Sequence, residues 1–134
     1  MRLLLDTHVA LWAITDDSRL SATARLSATA RLLIEAPANE VLVSAVSVWE
    51  IAIKYSLGRG DMPVSAAQAL AFFQQAGYLL LGVSAAHAAA VDALPAIHAD
   101  PFDRLLVAQA FHEPLRLLTH DATVAKYGGL IIPV

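Results

Sequence analysis

The chain has 134 residues, of which 57% are hydrophobic and 16% charged, with a formal net charge of −3 and no cysteine. These values exclude a disordered chain, a disulfide scaffold, a Cys-based zinc site and a thiolate nucleophile. They also exclude a broadly basic surface, so an RNA partner would have to be met by a few local cations and bound metal.

No long linker interrupts the sequence, and residues 1–134 read as a single domain. Residues 2–6 form an apolar run fit for a strand buried on both faces, and Asp6 ends it too early for a signal peptide. Residues 9–14 look helical. Residues 21–36, rich in Ala, Leu and Arg, predict a second helix that stops before Pro37. Inside it, Arg-Leu-Ser-Ala-Thr-Ala occurs twice, at 19–24 and 25–30. Two short copies are too few for a solenoid, so the expectation is one continuous helix, with helical dihedrals at Ser27. Its core-facing stripe would be Leu26, Ala30, Leu33 and Ile34.

Residues 41–43 predict a strand, and 45–57 a helix stopped by Gly58. Residues 65–76 predict a helix, 78–83 a strand and 84–93 a helix. The stretch 62–91 has no Lys, Arg, Asp or Glu, but Pro63, Gly77, Gly82 and three glutamines break it. It reads as three buried elements and not as a membrane span. Residues 101–112 predict a helix with Pro101 in the favoured first position. Residues 117–119 form a strand, 122–127 a short helix closed by Gly128, and 130–132 a last strand. Strands alternating with helices imply an α/β fold, with a central parallel sheet covered on both faces.

Five acids sit beside apolar segments. Asp6 follows Leu3-Leu4-Leu5, Glu50 lies within an apolar helix, Asp100 and Asp103 bracket Pro101-Phe102, and Asp121 follows Leu117-Leu118-Thr119-His120. Charges seldom border core segments unless something pairs with them, and a divalent cation pairs with several at once. Each acid also has an ordinary explanation. Asp6, Asp100 and Asp121 precede helices, where Asp is a good cap. Glu50 can pair with Lys54 one turn on, and Asp103 can complement a helix dipole. Asp6 and Asp121 nevertheless follow strands, and so share the carboxyl edge where open α/β sheets bind ligands.

Carboxylates without cysteine suit Mg²⁺, with Mn²⁺ as the alternative. The five histidines form no His-x-x-x-His pair that would favour zinc, and His98 is the one closest in sequence to the acids. Phosphate-loop, dinucleotide-binding and nucleophile-elbow motifs are absent. A phospho-receiver domain is disfavoured, because the runs at 41–44 and 79–82 end without Asp.

With these residues in view, the chain resembles the PIN-domain ribonucleases, and within them the VapC toxins of toxin–antitoxin pairs. The resemblance is carried in order by Leu3-Leu4-Leu5-Asp6-Thr7-His8, by residues 44–54 around Trp49-Glu50, by Leu57-Gly58-Arg59, by residues 98–110 around Asp100-Pro-Phe-Asp103, and by Leu118-Thr119-His120-Asp121. It implies a three-layer α/β/α PIN-like domain acting as a Mg²⁺-dependent endoribonuclease toxin in the cytoplasm. Asp6, Glu50 and Asp103 match the family's three principal acids, Asp121 its more variable fourth, and Asp100 belongs to a subgroup motif. Thr119 stands where the family often has a hydroxyl, and His8 where it often has Asn. Lys54, Arg59, Arg104 and Lys126 would meet the RNA backbone. The implied partners are an RNA substrate, a cognate antitoxin and a second copy of the chain, with no membrane. The alternative is a non-catalytic PIN-like module that binds RNA or a protein.

Overall fold

In the computed structural model, residues 1–15, 26–59 and 62–134 are described. Five strands form one sheet: β1 (Arg2–Leu5), β2 (Glu40–Ser44), β3 (Leu79–Leu81), β4 (Arg116–Thr119) and β5 (Ile131–Pro133). Their order is β3-β2-β1-β4-β5 and every pairing is parallel. The helices are α1 (Thr7–Thr15), α2 (Ala28–Glu35), α3 (Ala45–Ser56), α4 (Ala66–Gln75), α5 (Ala85–Ala90), α6 (Pro101–His112) and α7 (Ala122–Ala125), with a 3₁₀ turn over Val91–Ala93.

The two-residue period of β1 divides the core. Leu3 and Leu5 pack with Val9, Leu11, Ile51 and Phe73 on one face. Leu4 packs with Leu106, Val107, Ala110, Leu117 and Val124 on the other. Leu3, Leu4 and Leu5 are all fully buried, as expected of a central parallel strand. The result is the α/β/α sandwich expected from the element order. Among the described residues, no helix is long and apolar enough to cross a membrane.

Chain order places the site. From β1 the sheet grows outward through β2 to β3, and the chain then returns to lay β4 on the other side of β1. The carboxyl ends of β1 and β4 therefore border the crevice where the winding reverses, the usual ligand position in such sheets.

The sequence reading of α2 needs correction. Ser27 is not helical: it sits at φ −67°, ψ 158°, and its hydroxyl accepts from Ala30 N at 3.1 Å. It caps a helix that begins at Ala28. One helix running through both hexapeptide copies is thus ruled out, and the first copy at 19–24 lies outside the described residues. The cap wins because it satisfies an N–H that the helix end would leave without a partner. The expected stripe survives: Ala30 is buried, and Leu26, Leu33 and Ile34 pack against the core.

Candidate metal centre

Each acid is delivered by an element end or a buried helix face. Asp6 caps α1, its Oδ1 accepting from Val9 N at 2.9 Å while its Oδ2 accepts from the Thr119 hydroxyl at the end of β4. Its own N–H donates to Leu118 O at 3.0 Å, which locks the ends of β1 and β4 together. Asp100 caps α6 by accepting from Asp103 N at 3.0 Å. Asp121 caps α7 with Oδ1, which accepts from Thr123 N at 2.7 Å and Val124 N at 3.2 Å. Capping employs one oxygen and leaves Oδ2 of Asp121 facing the site, 3.6 Å from His98 Nε2. Capping α7 thus leaves one oxygen of the same side chain turned to the cavity.

Glu50 is 3% exposed on the inner face of α3, so it is no surface ion pair. Its Oε1 lies 2.6 Å from the Thr7 hydroxyl, which is 2.9 Å from the Ser47 hydroxyl. Thr7 has one proton, which goes to the carboxylate, and Ser47 then donates to Thr7. Oε2 accepts from Lys54 Nζ, and the ammonium also lies 5.9 Å from the Phe102 ring centroid. A buried charge is tolerated here because each oxygen has a partner.

One cavity of about 160 Å³ is lined by Asp6, Thr7, His8, Glu50, Lys54, His98, Asp100, Asp103 and Asp121. All five sequence-selected acids therefore face a single space. Burial pushes the Asp6 carboxyl above its ordinary range, against the pull of its hydrogen bonds from Thr119 and Val9. Asp103 is pushed up to about 7, first by burial and then by repulsion from Asp100, Glu50 and Asp6, with His98 opposing. Crowded carboxylates that resist ionising together mark a place where positive charge is missing.

The donors fit a hard divalent cation. They are predominantly carboxylate oxygens. His98, Asp103 and Asp121 bring ligand atoms within 4.8 Å of one another. Among the described residues, His98 Nε2 is a buried polar atom with no hydrogen bond of acceptable angle, although Asp103 Oδ2 is 2.9 Å away. His98 thus joins the acids, and its position two residues before Asp100 was the sequence signal for it. Thr7 and Ser47 carried a weaker signal, as members of the Asp6-Thr7-His8 block and of the 44–54 block around Glu50.

The four proposed RNA-facing cations do not behave alike. Lys54 lines the cavity. Arg59 lines a separate one with Tyr55, Gly58 and Met62, and Lys126 is exposed at the end of α7. Arg104 is engaged within the protein. Its guanidinium donates to Pro95 O, His98 O, the Tyr127 hydroxyl and Val91 O at 3.2–3.4 Å. A planar fork with several donors suits that task, since it can gather the carbonyls of the segment leading to His98.

Comparisons with known proteins agree with this architecture. Residues 3–130 match the PIN domain family. The chain is 34% identical over 127 residues to Ribonuclease VapC22 of Mycobacterium tuberculosis, covering 92% of this chain and 90% of that protein. Its fold is similar to VapBC2 from Rickettsia felis, solved bound to a DNA fragment from its promoter, with TM-score 0.66, 17% identity and coverage of 100% and 98%. It is also similar to a toxin–antitoxin complex from Klebsiella pneumoniae, with TM-score 0.62, 15% identity and coverage of 97% and 95%. Their low identity makes these two structures a statement about fold. The family match and the VapC22 relative go further: the chain belongs to the PIN-domain family, in its VapC branch.

Proposed function

We propose that this protein is a Mg²⁺-dependent endoribonuclease and the toxin of a toxin–antitoxin pair. The observation that carries the reading is the convergence of five acids and His98 on one cavity at the switch point of the sheet. Asp6 and Asp103 would hold the metal, with Glu50 reaching it directly or through water, Asp121 completing the set and Asp100 contributing from the α6 cap. When bound, the metal supplies a water of lowered pKa and offsets charge growing on the phosphate. The protein's own residues prepare the place. Thr119 and Val9 N fix the two oxygens of Asp6, and Thr7 and Lys54 fix those of Glu50. Lys54 brings the cavity a permanent positive charge. Among the described residues none has the setting of a nucleophile, so the reading is hydrolysis by direct attack of water, without a covalent intermediate.

Purified protein should cut structured RNA with Mg²⁺ or Mn²⁺ present and stop on addition of EDTA. Cleavage that persists in EDTA would remove the metal from the mechanism, and no cleavage under any condition would favour the non-catalytic module.

The partners follow from the same reading and from the surface. Phe73 is buried, whereas Trp49, Leu57, Phe72, Leu79 and Leu80 are exposed. Those side chains offer apolar surface that a partner could cover. We expect a homodimer that also binds an antitoxin segment. Light scattering at micromolar concentration should give the mass of two chains, rising when antitoxin is co-expressed; a one-chain mass under both conditions counts against this.

A further inference from the structure

A second cavity, of about 380 Å³, adjoins the carboxylates and is lined by Asp6, His8, Trp12, His120 and Asp121. It shares Asp6, His8 and Asp121 with the metal cavity, so the two spaces meet along one wall. Its other side is aromatic. Trp12 and His120 pack edge to face at 5.1 Å between ring centroids, and His8 lies 6.0 Å from Trp12 with its plane tilted by 49°. His120 is held from behind by a contact of 3.0 Å between Nδ1 and Val134 O. Because a carbonyl oxygen can only accept, Nδ1 is the donor in that bond.

We infer that this cavity is a nucleobase subsite, in which Trp12 stacks the base of a nucleotide beside the cleaved phosphate. The inference rests on the ribonuclease reading above and names how that substrate would be held. Three observations favour a base over other occupants. The volume falls within the range of roughly 300–1,000 Å³ typical of small-ligand pockets. Among the described residues, two carboxylates and no lysine or arginine line it, and they would repel a phosphate but not an uncharged flat ring. Its position also fits. An RNA strand whose phosphate reaches the acids must put a neighbouring base close by, and unpaired bases are commonly read by aromatic stacking with hydrogen bonds to their edges. His8 and His120 supply those polar edges. Trp12 and His120 would therefore set preference for an unpaired base at one position next to the cut.

The chain contains two tryptophans, so Trp49→Phe leaves Trp12 as the sole indole reporter. In that variant, with Mg²⁺ present, a short 2′-O-methyl oligoribonucleotide should quench Trp12 emission at least twofold, while an abasic oligomer of the same length should not. In cleavage assays Trp12→Ala should raise KM roughly tenfold, leave kcat within about twofold, and flatten the base preference at one position. Trp12→Phe, which keeps a stacking face, should recover most of the loss. Equal response to both oligomers, or an unchanged KM and cleavage pattern in a folded Trp12→Ala protein, overturns the subsite. The fluorescence arm needs no turnover. Absence of RNA cleavage combined with base-dependent quenching would thus reject the nuclease reading while upholding the subsite.

Discussion

Asp103→Asn is expected to lower RNA cleavage by on the order of 10³-fold or more, the scale on which one group aimed at the reacting charge counts. Circular dichroism should show a folded protein. The same substitution should make the metal-free protein more resistant to heat, not less. Asp103 is raised to about 7 because burial and three neighbouring carboxylates oppose its charge. A carboxyl whose pKa is higher in the folded state binds a proton that unfolding releases, at any pH between its ordinary value near 4 and about 7. Its contribution to stability is therefore present at low pH and is lost as pH rises through about 7. Asp6 is displaced in the same direction. Metal-free wild type should accordingly lose thermal stability between pH 5 and pH 8 from these groups, and Asn at 103 should reduce that slope. Asp6→Asn should also abolish cleavage, with a smaller gain in stability because the Asp6 carboxylate accepts two hydrogen bonds. A Asp103→Asn protein that cuts RNA at the wild-type rate would refute the assignment, and one with an unaltered pH–melting profile would refute the electrostatic account.

Arg104 should have the second large effect, through structure. Its four acceptors lie on the 3₁₀ turn, the segment before His98, His98 itself and Tyr127. Arg104→Ala removes them together and leaves partly buried carbonyls to find other donors. A loss of about 2 kcal/mol in unfolding free energy is expected, since hydrogen bonds from charged donors are worth about 1.5–3 kcal/mol but act here as one unit. Activity should fall roughly 10- to 100-fold, the usual cost of removing a group that orients a site residue. Arg104→Lys is the discriminating variant. Lysine keeps the charge but cannot spread planar donors over several carbonyls. Near wild-type activity in Arg104→Lys would favour a direct electrostatic role on RNA.

The sequence was legible where local chemistry had one reasonable answer. α6 could be placed because Asp100 caps and Pro101 starts it. The parallel sheet followed from short apolar runs separated by helical ones. The acids stood out because charge beside a buried strand or inside an apolar helix demands a partner. Where the chain offered equivalent choices, reading failed. Ser21 and Ser27 occupy the same place in two identical hexapeptides, so nothing local decides which one starts α2. The stripe of Leu26, Leu33 and Ile34 reaches the core as expected and does not distinguish the two starts. The helix expected at 84–93 likewise shortens to α5 and a 3₁₀ turn. The fates of Arg104 and Trp12 were hidden for another reason. Arg104 depends on carbonyls that any sequence would provide, and Trp12 meets His120 only because β1 and β4 are adjacent.

That adjacency has a bearing on how the site is completed. Asp6 follows β1, yet the hydroxyl that holds it comes from Thr119, 113 residues further along the chain, and Asp121 lines the same cavity. A nascent chain that stops before Arg116 exposes one edge of β1 and lacks a wall of the cavity. The carboxylate cavity is therefore complete only once β4 has docked against β1, and a truncated chain presents an unfinished site.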